Sequence, residues 1–118
     1  MYHATPLKDW EKVRKEGLFP EELEQRTKGI TKLEKGVYLD PSREYVYDWP
    51  LMLSSRYLPE EVTEPMVTNW AILEVELPEE AILVEDPGVH LGPSASITPS
   101  HIPPQNIHLI DTCEIEVG

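Results

Sequence analysis

Three stretches of this chain carry side chains suited to holding a polar ligand. They are His3-Ala4-Thr5 near the start, Tyr38 within Gly36-Val37-Tyr38-Leu39-Asp40, and the basic segment RTKGITKLEK at 26–35. An imidazole offers one donor and one acceptor to neighbouring hydroxyls, and a threonine adds a hydroxyl of its own. A small residue between them lets the backbone itself come close to a ligand. A phenol ring gives a flat apolar platform for another ring. Arg26, Lys28, Lys32 and Lys35 supply the cations that phosphate oxygens require, and Arg43 is a further candidate for that role. The remaining histidines, His90, His101 and His108, have no metal-ligand spacing with one another or with the single cysteine, Cys113. No glycine-rich phosphate loop is present, and no nucleophile is singled out.

The elements that would position these groups are short. Residues 1–20 read as a strand, a helix and a glycine stop. Thr5 is placed to cap the helix, Pro6 to open it, and Leu7, Trp10 and Val13 form its apolar stripe. Gly17 is placed to take the left-handed C′ position at the helix end, with Leu18 folding back on Val13. The segment at 26–35 reads as a loop. Residues 36–40 form a strand stopped by Pro41. Ser42 then caps a second helix with Tyr45, Val46 and Trp49 as its apolar face; Pro50 interrupts it, and 51–58 resume it. Residues 69–77, NWAILEVEL, alternate as a strand, with Ala71, Leu73, Val75 and Leu77 inward and Glu74 and Glu76 outward. Shorter strands follow at 81–84 and 94–98. A final strand sets Ile107, Leu109, Asp111, Cys113, Ile115 and Val117 on one face. Helices early and strands late imply an α+β domain with antiparallel or mixed pairing.

A chain of 118 residues allows one domain, spanning 1–118. All ten Lys and Arg fall in residues 1–56 beside an equal number of acids, so residues 57–118 carry the whole net charge of −12. Such an acidic half repels nucleic acid and anionic membrane, and directs any phosphate-bearing ligand to the first half. No apolar run reaches the length of a membrane span, and the lone cysteine rules out a disulfide framework. The cytoplasm is the expected compartment.

In its order of motifs the chain resembles the ADP-ribosyltransferase superfamily, its small bacterial and phage members above all, and more distantly the RNA 2′-phosphotransferases. The resemblance lies in YHAT, a helix ending EGLFP, the strand GVYLDP with a following helix, a strand ILEVELP and a late turn HIPPQNIHLI. It implies two small, mostly antiparallel sheets forming a cleft, with two or three helices, and NAD as substrate without a metal. By that resemblance His3 would bond ribose hydroxyls, Ala4 and Thr5 would hold the nicotinamide amide, and Tyr38 would stack on the nicotinamide ring. Arg26, Lys28 and Arg43 would meet the pyrophosphate. The family's glutamate is missing from the late strand Ser94-Ala95-Ser96-Ile97-Thr98; Ser96 or Ser94 stands in its place, with Gln105 a more remote substitute. Two readings follow. One is an enzyme that releases nicotinamide from NAD, onto water or a protein acceptor. The other is a domain that keeps the fold without the chemistry, binding a nucleotide or offering its acidic surface to a basic partner protein. An RNA 2′-phosphotransferase fits less well, because the chain has few arginines and a strongly negative charge.

Overall fold

A computed structural model describes residues 1–23, 33–51, 66–85 and 95–117. Within them the order is β1 (Tyr2–Pro6), a 3₁₀ turn (Leu7–Asp9), α1 (Trp10–Glu16), β2 (Glu21–Glu22), β3 (Lys35–Leu39) and α2 (Arg43–Val46). Then come β4 (Met66–Val75), β5 (Val84–Glu85), β6 (Ser96–Thr98), a second 3₁₀ turn (Pro104–Asn106) and β7 (Ile107–Val117). The fold is α+β, with a three-stranded sheet β1-β4-β7 and a four-stranded sheet β2-β3-β6-β5, all pairs antiparallel.

β4 is the spine of the first sheet and is buried on both faces. Ala71, Leu73 and Val75 join Val13, Leu18, Val37, Leu39, Ile102 and Ile107 on one side. Trp70 and Ile72 join Ala4, Val46, Trp49 and Ala95 on the other. The alternation read from 69–77 thus captures one of two apolar faces. The second exists because the segment after β3 brings Val46 and Trp49, both fully buried, over Trp70 and Ile72.

Three local expectations change. Thr5 and Pro6 belong to β1, paired with Ala71 and Trp70, so the chain stays extended through Pro6 and the α-helix begins only at Trp10. The proline's ψ of 137° is that of a strand, and Leu7 is left exposed instead of joining the stripe. Tyr45 is also exposed, because α2 is a single turn that buries only Val46. The single face expected for the last strand is broken by a bulge: Ile72 pairs with Asp111 and Leu73 with Leu109, leaving Ile110 as the extra residue. Ile107 therefore packs in one core, whereas Ile110, Cys113 and Ile115 pack against the other, and Leu109 is exposed.

Other local readings match the fold. The Ser42 hydroxyl caps α2 by accepting from the Tyr45 N–H at 3.3 Å. Gly17 ends α1, its N–H donating to the Val13 carbonyl at 2.8 Å, although its φ of 87° comes with a ψ of −167° in place of the left-handed helical cap expected. The His101 Nε2 donates to the Glu16 carbonyl at 2.8 Å, and the His101 ring stacks on Phe19 at 4.3 Å. Leu18 and Ile102 exchange backbone bonds at 2.9 Å in both directions. The end of the first helix is thus stitched to the proline-rich turn before β7. The second-helix continuation at 52–58 lies outside the described residues.

Candidate functional site

The two sheets meet at β1 and β3. The Tyr2 N–H donates to the Asp40 carbonyl at 2.7 Å and the Asp40 N–H to the Tyr2 carbonyl at 2.9 Å. The pairing is antiparallel, so a continued ladder would set Ala4 opposite Tyr38. No ladder is formed beyond the Tyr2–Asp40 bridge. Instead the His3 Nδ1 lies 2.7 Å from the Tyr38 carbonyl, the group an Ala4 N–H would have met.

Backbone parity then fixes what β1 turns toward β3. Met1 exchanges bonds with Val75 of β4 through its N-terminal amine at 3.1 Å and its carbonyl at 2.7 Å. Residues 1, 3 and 5 therefore aim their backbone groups at β4, and residues 2 and 4 aim theirs at β3. The Ala4 N–H and carbonyl face β3, beyond the Tyr2–Asp40 bridge.

A carbonyl only accepts, so the proton of neutral His3 resides on Nδ1 and the lone pair on Nε2. The ring also presents itself edge-on to Trp49, with centroids 5.6 Å apart and planes at 84°. Trp49 is fully buried, and its indole N–H has no hydrogen-bond partner among the described residues. His3 keeps some contact with solvent but is packed closely enough that burial lowers its pKa below 6.5; the Tyr38 carbonyl partly opposes this. The consequence for stability has a definite sign. As pH falls below the ordinary histidine value, the unfolded chain takes up a proton that the folded chain resists, so stability declines. Melting temperature followed from pH 7.5 to 5.5 is expected to fall for the parent chain and to fall less for His3→Gln (pH bounds of roughly one unit around the ordinary value).

Tyr38 is half-buried and packs against the cluster of Ala4, Val46 and Trp49. His3, Ala4 and Tyr38 are thus gathered at one junction. Thr5 is buried at 7% exposure and pairs with Ala71. Ser96 is not gathered with the Tyr38 ring. It stands across from Leu39, whereas Tyr38 stands across from Ile97, so the two side chains leave opposite faces of the β3–β6 ladder. Glu85 of β5 stands directly across from Ser96 on its other side. Gln105 lies in the 3₁₀ turn before β7, as its place after two prolines implies. Arg26, Lys28 and Lys32 lie outside the described residues, as do Ser94 and His90; Lys35 is exposed on β3.

Arg43 has a different setting from the one expected. It hydrogen-bonds with the Tyr47 side chain, which with the nearby Tyr2 and Asp111 side chains raises its already high pKa. The Tyr47 hydroxyl in turn donates to Asp111 Oδ2 at 2.6 Å, and the Thr112 N–H donates to Asp111 Oδ1 at 2.8 Å. The Tyr47 bond and then the Thr112 bond hold the Asp111 carboxyl below the usual carboxylate range. This exposed chain ties the segment after α2 to β7, just outside Tyr2.

No family model, curated protein or solved structure matches this chain. The site is therefore read from its own atoms. Among the described residues no group of His, Cys, Asp or Glu gathers to hold a metal ion, and no helix is long and apolar enough to cross a membrane.

Sequence reasoning passed over three participants. The edge contact of Trp49 on His3 has no local signal. The bonding of Asp111 depends on the bulge at Ile110. Asp40 is fully buried and accepts from the Ser42 N–H at 2.8 Å through Oδ1. That last contact was legible, because Asp-Pro-Ser is a turn sequence in which the carboxylate bonds the backbone two residues on.

Proposed function

We propose that this domain binds NAD at the junction of β1 and β3, in the manner of the ADP-ribosyltransferases its sequence resembles. The observation that carries the reading is the pairing of His3 Nδ1 with the Tyr38 carbonyl. That bond leaves Nε2 as an acceptor for a ribose hydroxyl. It also takes the partner that the Ala4 N–H would otherwise meet, and Ala4 offers a donor and an acceptor side by side toward β3. A carboxamide has the complementary pair, an N–H and a C=O in one plane. Tyr38 supplies the ring against which a nicotinamide would stack.

In the reaction, the bond between nicotinamide nitrogen and the anomeric carbon breaks. Nicotinamide leaves with the electron pair as a neutral molecule, and water or an acceptor nucleophile adds to the carbon and loses a proton. Positive charge develops on the ribose as the bond lengthens, and a carboxylate facing it would be worth several kcal/mol, of order 3. β6 offers only hydroxyls, Ser96 and Thr98, and the latter accepts from the Ser100 N–H at 3.3 Å. This favours slow turnover, and it supports a second reading in which the domain binds the nucleotide without consuming it.

Titration calorimetry with NAD at millimolar concentration, paired with chromatographic detection of nicotinamide, separates these outcomes. Heat with slow nicotinamide release supports the enzyme, and heat without release supports the binding domain. Absence of heat and of thermal stabilisation removes both.

A further inference from the structure

We propose that the outer edge of β7 is a docking site for a basic, extended segment of a partner protein, which adds to the three-stranded sheet as a further strand. This goes beyond the nucleotide reading and does not depend on it.

β7 is, with 11 residues, the longest strand among the described residues, and it stands last in the order β1-β4-β7. One side of its backbone is committed to β4 from Met66–Val75. In an antiparallel strand the other half of the N–H and C=O groups points away from the neighbour. Among the described residues no strand pairs with that side. Proteins commonly guard such an edge with charged side chains, lysine above all, with proline, a bulge or a very short strand; here the bulge lies at Ile110, and residues 111–117 beyond it pair regularly with β4. Residues 107–117 contain neither lysine nor proline.

What the edge does carry is acid. Thr112, Glu114 and Glu116 alternate onto one face and are exposed, with Asn69 and Val67 exposed beside them on β4 at positions paired to Glu114 and Glu116. This half of the sheet face is open, whereas the other half, at Ala71, Leu73 and Val75, is covered by the core. Charge decides the occupant. A second copy paired antiparallel about Ile115 would set Glu114 against Glu116 in both directions, and like charges directly opposite destabilise a ladder. Lysine or arginine at alternate positions of an incoming strand would instead face both carboxylates. No lysine or arginine follows Arg56 in the chain to compete for them. Main-chain pairing would give affinity, and the two glutamates would select for basic side chains.

The probe is a synthetic peptide alternating valine and lysine, compared with one in which proline replaces each valine at equal charge. Hydrogen exchange of the full chain is the readout. The valine–lysine peptide is expected to slow exchange at residues 107–117, and the proline peptide, which cannot pair, is expected to leave it unchanged. Glu114→Lys combined with Glu116→Lys is expected to weaken binding by about tenfold or more, with an unaltered melting temperature showing that the fold persists. Equal binding of the proline peptide would reduce the effect to general charge attraction and overturn the proposal. So would protection confined to other segments, no protection at all, or sedimentation showing that β7 is already paired in a dimer. NAD binding serves as an independent control, since its loss or presence bears only on His3 and Tyr38.

Discussion

Gly17→Ala is expected to lower stability by at least about 3 kcal/mol, a large share of what a domain of this size possesses. Two costs combine. With φ 87° and ψ −167°, Gly17 occupies backbone territory that is essentially reserved for glycine. An added Cβ would also collide with the Ile102 carbonyl oxygen. That oxygen cannot withdraw, because it accepts from the Leu18 N–H at 2.9 Å and forms half of the bridge between the helix end and the proline-rich turn. The collision therefore transmits to Leu18 and Ile102, both buried in one core. Thermal melting is expected to show a drop of more than about 10 °C. Lys15→Ala, at an exposed position on the same helix, is expected to change little. A Gly17→Ala protein that melted within a few degrees of the parent would show that the helix end has room to relax.

The second large effect falls on ligand binding. His3→Ala is expected to reduce NAD affinity by about a hundredfold, in keeping with loss of a ligand hydrogen bond and of the group that holds the Tyr38 carbonyl. Tyr38 separates ring from hydroxyl. Tyr38→Phe keeps the platform and is expected to bind NAD almost as the parent does, whereas Tyr38→Ala is expected to lose about tenfold through lost stacking. Calorimetry on the three variants, each checked for an intact melting transition, measures the pattern. Equal affinity in His3→Ala and parent would detach NAD from the β1–β3 junction. Equal losses in Tyr38→Phe and Tyr38→Ala would transfer the role from the ring to the hydroxyl.

The parts of the fold legible in sequence were those set by neighbours along the chain. Ser42 capping Tyr45, Gly17 closing α1 and Pro41 stopping β3 each depend on a few adjacent residues, and each stands in the structure. Thr5-Pro6 misled because the same two residues suit a helix start and a strand end. Pairing of Thr5 with Ala71 decided between them, and that contact is remote in sequence. Tyr45 and Trp49 read alike, as members of one helical apolar face. The structure makes Tyr45 exposed, Tyr47 a donor to Asp111, and Trp49 the fully buried neighbour of His3. The bulge at Ile110 was invisible to a period-two reading, since it reverses the alternation midway. At the candidate site, the sequence pointed to the His3 and Tyr38 side chains, whereas the contact in the structure runs from the His3 ring to the Tyr38 backbone. That bond was not legible, because it uses a carbonyl that the residue's identity as a tyrosine does not announce.

β4 has one neighbour some sixty residues before it, at Tyr2–Pro6, and the other some forty residues after it, at Ile107–Val117. During synthesis, β1 waits unpaired until β4 emerges, and β4 then stays half-clothed until β7 has been translated. Contacts so distant in sequence slow the search for the native arrangement and prolong the life of partly assembled forms. A nascent-chain stall before residue 107 would display a naked, aggregation-prone WAIL segment. Chaperone dependence should accordingly be greatest between the emergence of β4 and that of β7.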